Sequence, residues 1–175
     1  GKMMVRQDKM EVADLFSVLR GMLRPLHDNS LVTLLFEAPI DIPPLNTDQG
    51  KVVQILRNLI VNALKFTEQG EVRVSADMDS EGENVVYSVA DTRIGIAPED
   101  QERIFQEYTQ IENSFQQRSR GTGLGLPLSR NLAELLGGRL TVESRPGIES
   151  TFSVVIPLIY SEAFSGTLRG RSGKG

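Results

Sequence analysis

The chain has 175 residues, 39% hydrophobic and 24% charged, which is the composition of one globular domain with a real core rather than of a disordered chain. A net charge of −4 gives no overall pull toward nucleic acid. The absence of cysteine excludes disulfides and thiolate metal sites, and a single histidine, His27, excludes a histidine-rich metal centre. No apolar run approaches the ~20 residues of a membrane span, and no signal peptide opens the chain. A cytoplasmic domain is therefore expected, with membrane anchorage of a larger parent left open. Gly1 in place of an initiator Met suggests an excised piece.

In chain order, Val12, Leu15, Phe16, Leu19 and Leu23 fall at helical spacing within 11–24, and 32–37 reads as a strand closed by a proline-rich loop at 39–46. Residues 48–70 carry a wide apolar stripe of Val52, Ile55, Leu56, Leu59, Ala63 and Phe66, which predicts an amphipathic helix. Thr47 or Asp48 can cap its start, and Gly70 lies just past its end. The alternating stretches 71–78 and 84–91 read as a hairpin around SEGE, and 98–108 as a short helix with proline in its first turn. Residues 109–121 are polar without a clear period and read as a mobile loop. A helix is expected over 124–136, ended by Gly137-Gly138, then strands at 139–144 and 150–158 around a Pro-Gly turn. The Gly-, Ser- and Arg-rich tail 161–175 reads as disordered, leaving 1–160 as one domain. Interleaved helices and hairpins make a mixed sheet, covered by helices on one face, the simplest architecture: an α/β (α+β) two-layer sandwich.

Three features carry chemistry. GTGLGL (121–126) opens a helix, where exposed amides can meet an anion, with Arg120 beside it. It lacks the lysine of a P-loop and the spacing of a dinucleotide fingerprint, so alone it reads equally as a flexible connection. In NLIVNALKFT, Asn58 and Asn62 are one turn apart and Lys65 follows, so the three share one side of a helix. That side is either a solvated face or a neutral oxygen ligand for Mg²⁺ beside a cation for phosphate. Asp91 ends an apolar strand and enters DTRIGIAPED, where it can cap the next helix or accept hydrogen bonds from a ligand.

Taken in order, these segments resemble the ATP-binding catalytic domain of sensor histidine kinases, in the group shared with type II topoisomerase ATPases and heat-shock chaperones. NLIVNALKFT resembles the asparagine box, DTRIGI the first glycine box, IFQEYTQ the phenylalanine box and GTGLGL the second glycine box, together covering about 8–158. The resemblance implies a Bergerat-type fold that binds ATP with Mg²⁺. It implies that Asn62 holds the metal, that Lys65 contacts phosphate, and that Asn58 stands where the ATPase branches carry a water-activating glutamate. Asp91 would read the adenine amino group, with Gly95 and Ile96 beside it and Thr151 nearby. Phe105 would pack the base of a lid at about 97–120. Arg120, Gly121, Thr122, Gly123, Leu124, Gly125 and Leu126 would surround the phosphates.

The implied function is supply of the γ-phosphate to a histidine on a dimerisation domain outside this chain, with a response regulator downstream and the isolated domain a monomer. His27 lacks the surroundings of a phosphoacceptor. Arg93 stands where the family pattern Asp-x-Gly-x-Gly has its first glycine, and Glu149 where the family often has a glycine before the Ser/Thr-x-Phe strand. These departures leave a second reading open, a regulatory module of the same fold that binds nucleotide weakly or not at all.

Overall fold

Period-two burial along three strands decides where everything else in the molecule sits. The computed structural model describes residues 4–24, 31–67, 70–91, 126–145 and 149–161. Its elements are β1 (Asp8–Met10), α1 (Val12–Leu23), β2 (Val32–Phe36), β3 (Leu45–Thr47), α2 (Gln49–Phe66), β4 (Gly70–Met78), β5 (Asn84–Asp91), α3 (Leu126–Leu135), β6 (Arg139–Arg145) and β7 (Glu149–Pro157). Five strands form one sheet in the order β2-β4-β5-β7-β6. β2 runs parallel to β4, and the other neighbours are antiparallel, so the sheet is mixed as expected.

On one face of this sheet Val72, Val74, Val85, Tyr87, Val89, Phe152, Val154 and Ile156 are buried, while the residues between them are not. The helices supply the cover. α1 buries the five apolar residues named from its spacing, and α2 buries Val52, Ile55, Leu56, Leu59, Ile60 and Ala63. Under α1, the Phe16 ring lies 5.5 Å from Phe36 and 6.4 Å, edge-on, from Tyr87. Burial pushes the Tyr87 phenol well above its usual pKa.

Two short strands depart from the reading of 39–46 as unbroken loop. β1 and β3 pair antiparallel, with Asp8 opposite Thr47. Three residues are too few to show a period, and only the main-chain partner makes them strands. β3 also holds the chain leaving β7: the Asn46 amide donates to the Leu158 carbonyl at 2.7 Å, and Tyr160 N–H donates back to Asn46 O at 2.8 Å.

The start of α2 is settled in favour of Asp48. Its carboxylate accepts from Lys51 N–H at 3.2 Å, from Arg6 N–H at 2.9 Å and from Lys51 Nζ at 2.7 Å. At the other end, Gly70 is the first residue of β4 and not a helix cap. Thr67 closes α2 instead, with its N–H and its Oγ1–H both donating to Ala63 O. The hydroxyl does what a left-handed glycine would otherwise do, so the helix stops earlier than the glycine suggested. The strand expected to end at 37 ends at Phe36, and α3 is described from Leu126. The helix expected at 98–108, the loop at 109–121 and the tail from 162 lie outside the described residues.

Two glycines test the packing in opposite directions. A Cβ on Gly138 would stand 1.8 Å from the Val155 carbonyl oxygen, backbone that cannot step aside, whereas a Cβ on Gly21 meets nothing within 4 Å. Gly138→Ala is expected to destabilise by about 1–3 kcal/mol or more, and Gly21→Ala, within α1, to stabilise by about 0.5–1 kcal/mol, both read by denaturant unfolding.

Asp48 gives a pH signature. Burial raises its pKa, but the hydrogen bonds from Arg6 and Lys51 outweigh that and hold it below the ordinary 3.8. A carboxyl depressed in the folded state contributes stability above its unfolded pKa and loses it as pH falls through the folded one. Asp48→Asn should therefore cost most near neutral pH. The difference from wild type should shrink as pH drops below 3.8, measured by urea midpoints across the range.

Candidate functional site

α2 lies between the sheet, α1 and α3, so its polar side chains have little water to face. Asn58 is wholly buried and its Nδ2 donates to Ser129 Oγ of α3 at 3.1 Å. Its Oδ1 is buried without a partner among the described residues. One turn on, Asn62 is 9% exposed and its Nδ2 likewise lacks a partner among them, while Lys65 beyond it is exposed. The three residues do share one side of the helix, but that side is no solvated face. It runs from the core outward, and the Asn58 amide is held against α3 by the bond to Ser129.

The second part of the site lies at the end of the sheet where β5 finishes and β4 and β7 begin. Asp91 is 1% exposed, on the helix-covered face with Val89 and Tyr87. Its register partners are Val72 on one side and Ser150 on the other. Ser150 is equally buried, and its Oγ has no hydrogen-bond partner among the described residues. Because directly paired residues point to the same face, Ser150 stands beside Asp91. Thr151 is paired with Ala90 and Glu143 and faces the opposite side of the sheet. The resemblance placed Thr151 near the adenine; the register sets Ser150, and not Thr151, beside Asp91. Leu126, at the start of α3, is buried.

Ser129 and Ser150 are the two polar residues that the sequence reading passed over. Both were legible by period: Ser129 is in step with Leu126, Leu132 and Ala133, and Ser150 shares parity with Phe152, Val154 and Ile156. A serine at an apolar position signals a buried hydroxyl that needs a partner. Gly95, Ile96, Phe105, Arg120, Gly121, Thr122, Gly123, Leu124 and Gly125 lie outside the described residues, as does Arg93.

For a metal, the described residues hold no cluster of three His, Cys, Asp or Glu. What they present is neutral amides with unused polar atoms on α2. Of these atoms, the oxygen is Oδ1 of the wholly buried Asn58, while that of Asn62 is the nitrogen Nδ2, which donates hydrogen bonds and is no ligand for a hard cation.

A family model described as histidine kinase-, DNA gyrase B- and HSP90-like ATPase matches residues 47–159. The chain belongs to this family. The match runs from β3 through α2 to the residues just beyond β7, so it contains both halves of the site. The ATPase-family domain is 33% identical over 163 residues to the autoinducer 2 sensor kinase/phosphatase LuxQ of Vibrio parahaemolyticus, covering 90% of this chain and 19% of that protein. It is 50% identical over 108 residues to the sensor histidine kinase AruS of Pseudomonas aeruginosa, covering 60% of this chain and 11% of that one. Among solved structures, full-length ShkA in complex with AMPPNP superposes with a TM-score of 0.73 at 28% identity, over 92% of this chain and 33% of that one. The domain thus spans about a fifth or less of the length of these two curated relatives. Among the described residues no helix is long and apolar enough to cross a membrane.

The Asn58–Ser129 hydrogen bond ties α2 to α3. Asn58→Ala is expected to cost about 1–3 kcal/mol, because it leaves the buried Ser129 hydroxyl unpaired. Adding Ser129→Ala should cost less than the sum of the two single changes, as read from a urea-unfolding double-mutant cycle.

Proposed function

We propose that this domain is the ATP-binding catalytic domain of a two-component sensor histidine kinase, binding ATP with Mg²⁺ and presenting its γ-phosphate to a histidine outside this chain. The observation that carries the reading is the pair of buried polar groups, Asp91 and Ser150, side by side at the sheet end, in a chain whose family match contains them. A purine offers an exocyclic amino donor, and a buried carboxylate is the acceptor that rewards it most. The Ser150 hydroxyl supplies a second polar atom on the same wall. Between this wall and α2, Asn62 would offer its amide oxygen to the metal, and Lys65 its charge to the phosphates. The metal would neutralise phosphate charge, leaving the domain to position the nucleotide.

Asn58 supports a kinase over an autonomous ATPase. An amide has no basicity with which to activate water, and this one is buried against Ser129. In the proposed assembly the γ-phosphate therefore survives for transfer, the isolated chain turns over little ATP, and a response regulator receives the phosphate later. The glycine-loop residues 120–126, with Gly95, Ile96 and Phe105, complete the pocket in this proposal. The domain itself is taken as 1–160, in the cytoplasm.

The sequence departures at Arg93 and Glu149 favour the second reading, a regulatory module of the same fold with weak or absent nucleotide binding. One set of calorimetric titrations with a nonhydrolysable ATP analogue tests both. Wild type should bind more tightly with Mg²⁺ than without, and Asn62→Ala should lose that metal-dependent increment. Asp91→Asn is expected to weaken binding by about 1–3 kcal/mol and Ser150→Ala by about 0.5–1.5 kcal/mol, with Thr151→Ala near wild type. Absence of binding by wild type would establish the regulatory reading, and a larger loss at Thr151 than at Ser150 would overturn the assignment of the purine wall.

A further inference from the structure

The face of the sheet turned away from the helices carries charges in a self-complementary order. Registering the strands across the sheet gives two charged rows on that face. Arg73 of β4 lies in line with Ala90, Thr151 and Glu143, and Asp77 lies in line with Val86, Val155 and Arg139. Between them runs a row of Ser75, Ser88, Ser153 and Thr141, with Ser88 Oγ and Ser153 Oγ 3.3 Å apart. β4 thus presents plus then minus where β6 presents minus then plus, at matching heights. The central positions are small or β-branched and half-buried, and the charged flanks are exposed. No described helix packs on this face.

We propose that this face docks a second copy of the chain, sheet to sheet, about a two-fold axis parallel to the strands between β5 and β7. That rotation lays β4 of one copy over β6 of the other and β5 over β7. Asp77 then meets the second copy's Arg139, and Arg73 meets its Glu143, each contact occurring twice by symmetry. Any other partner would have to reproduce this order, whereas an identical copy does so automatically. Aligned sheets cross at about 30°, which shifts β4 along β6 by roughly one residue, within the reach of an arginine. The serines and Ala90 at the centre let the two sheets approach.

The two charged rows differ in weight. Arg73 already pairs with Glu37 at 3.3 Å and Glu71 at 3.2 Å, so a further carboxylate adds little there. Asp77 and Arg139 make no ion pair with any described residue, and the Asp77–Arg139 contact carries the test.

Four strands about 4.8 Å apart and some 20 Å long cover roughly 400 Å² per copy. The total over both copies, about 800 Å², is below the ~1,200 Å² of stable complexes, so the association is weak, with a dissociation constant on the order of 0.1–1 mM. The chain is then a monomer when dilute, as the sequence reading expected, and pairs when concentrated. This inference is independent of nucleotide binding.

Sedimentation equilibrium of the 175-residue chain, at concentrations bracketing that constant and at about 0.05 and 0.5 M salt, tests it. The weight-average mass should rise with concentration, and less so in high salt. Asp77→Arg and Arg139→Asp should each weaken the association about ten-fold, since each reversal turns two attractions into repulsions. The double variant carrying both changes should recover it, which a folding defect in either single variant could not produce. A wild-type chain that stays monomeric at the highest concentration, single reversals that leave the mass unchanged, or a double variant as weak as the singles would overturn the proposal.

Discussion

A sheet buried on one face only is the constraint from which the rest of this domain follows. Each strand of the β4-β5-β7 core spends alternate residues on the helix layer, so a polar group of matching parity is carried into the core whether or not water can follow. Asp91 and Ser150 are such groups, paired where β5 ends and β7 begins. The opposite parity leaves a face on which no described helix packs, and there the side chains are small, β-branched, hydroxylated or charged. Site and surface are two outcomes of one alternation.

α2 extends this logic into the helix layer. A helix covered on most of its circumference has to satisfy any polar residue internally, which explains why Asn58 bonds to Ser129 across the α2–α3 contact. The bond also ties α3 to α2. The far end of α2 is tied as firmly. Asp48 joins the helix start to the chain preceding β1, and β3 joins it to the chain leaving β7. Both flanks of the domain therefore converge on the start of the helix that carries Asn58 and Asn62.

Much of this was legible in the residues alone. The apolar spacing of α1 and α2 and the alternation of β4, β5 and β7 determined the element types and the mixed sheet, because periods of 3.6 and 2 are set by backbone geometry and survive in any context. The family came from the resemblance of the four boxes in order, and the roles of Asn58, Asn62, Lys65 and Asp91 rest on that resemblance. Tertiary structure alone decided the rest. β1 and β3 exist because a partner strand supplies their hydrogen bonds. Thr67 rather than Gly70 ends α2, because its hydroxyl and amide both found the Ala63 carbonyl. The Asn58 amide is buried rather than solvated because α3 folds back over it. Ser150 rather than Thr151 stands beside Asp91, because register is a relation between two strands 59 positions apart in the chain, and no property of either strand by itself contains it.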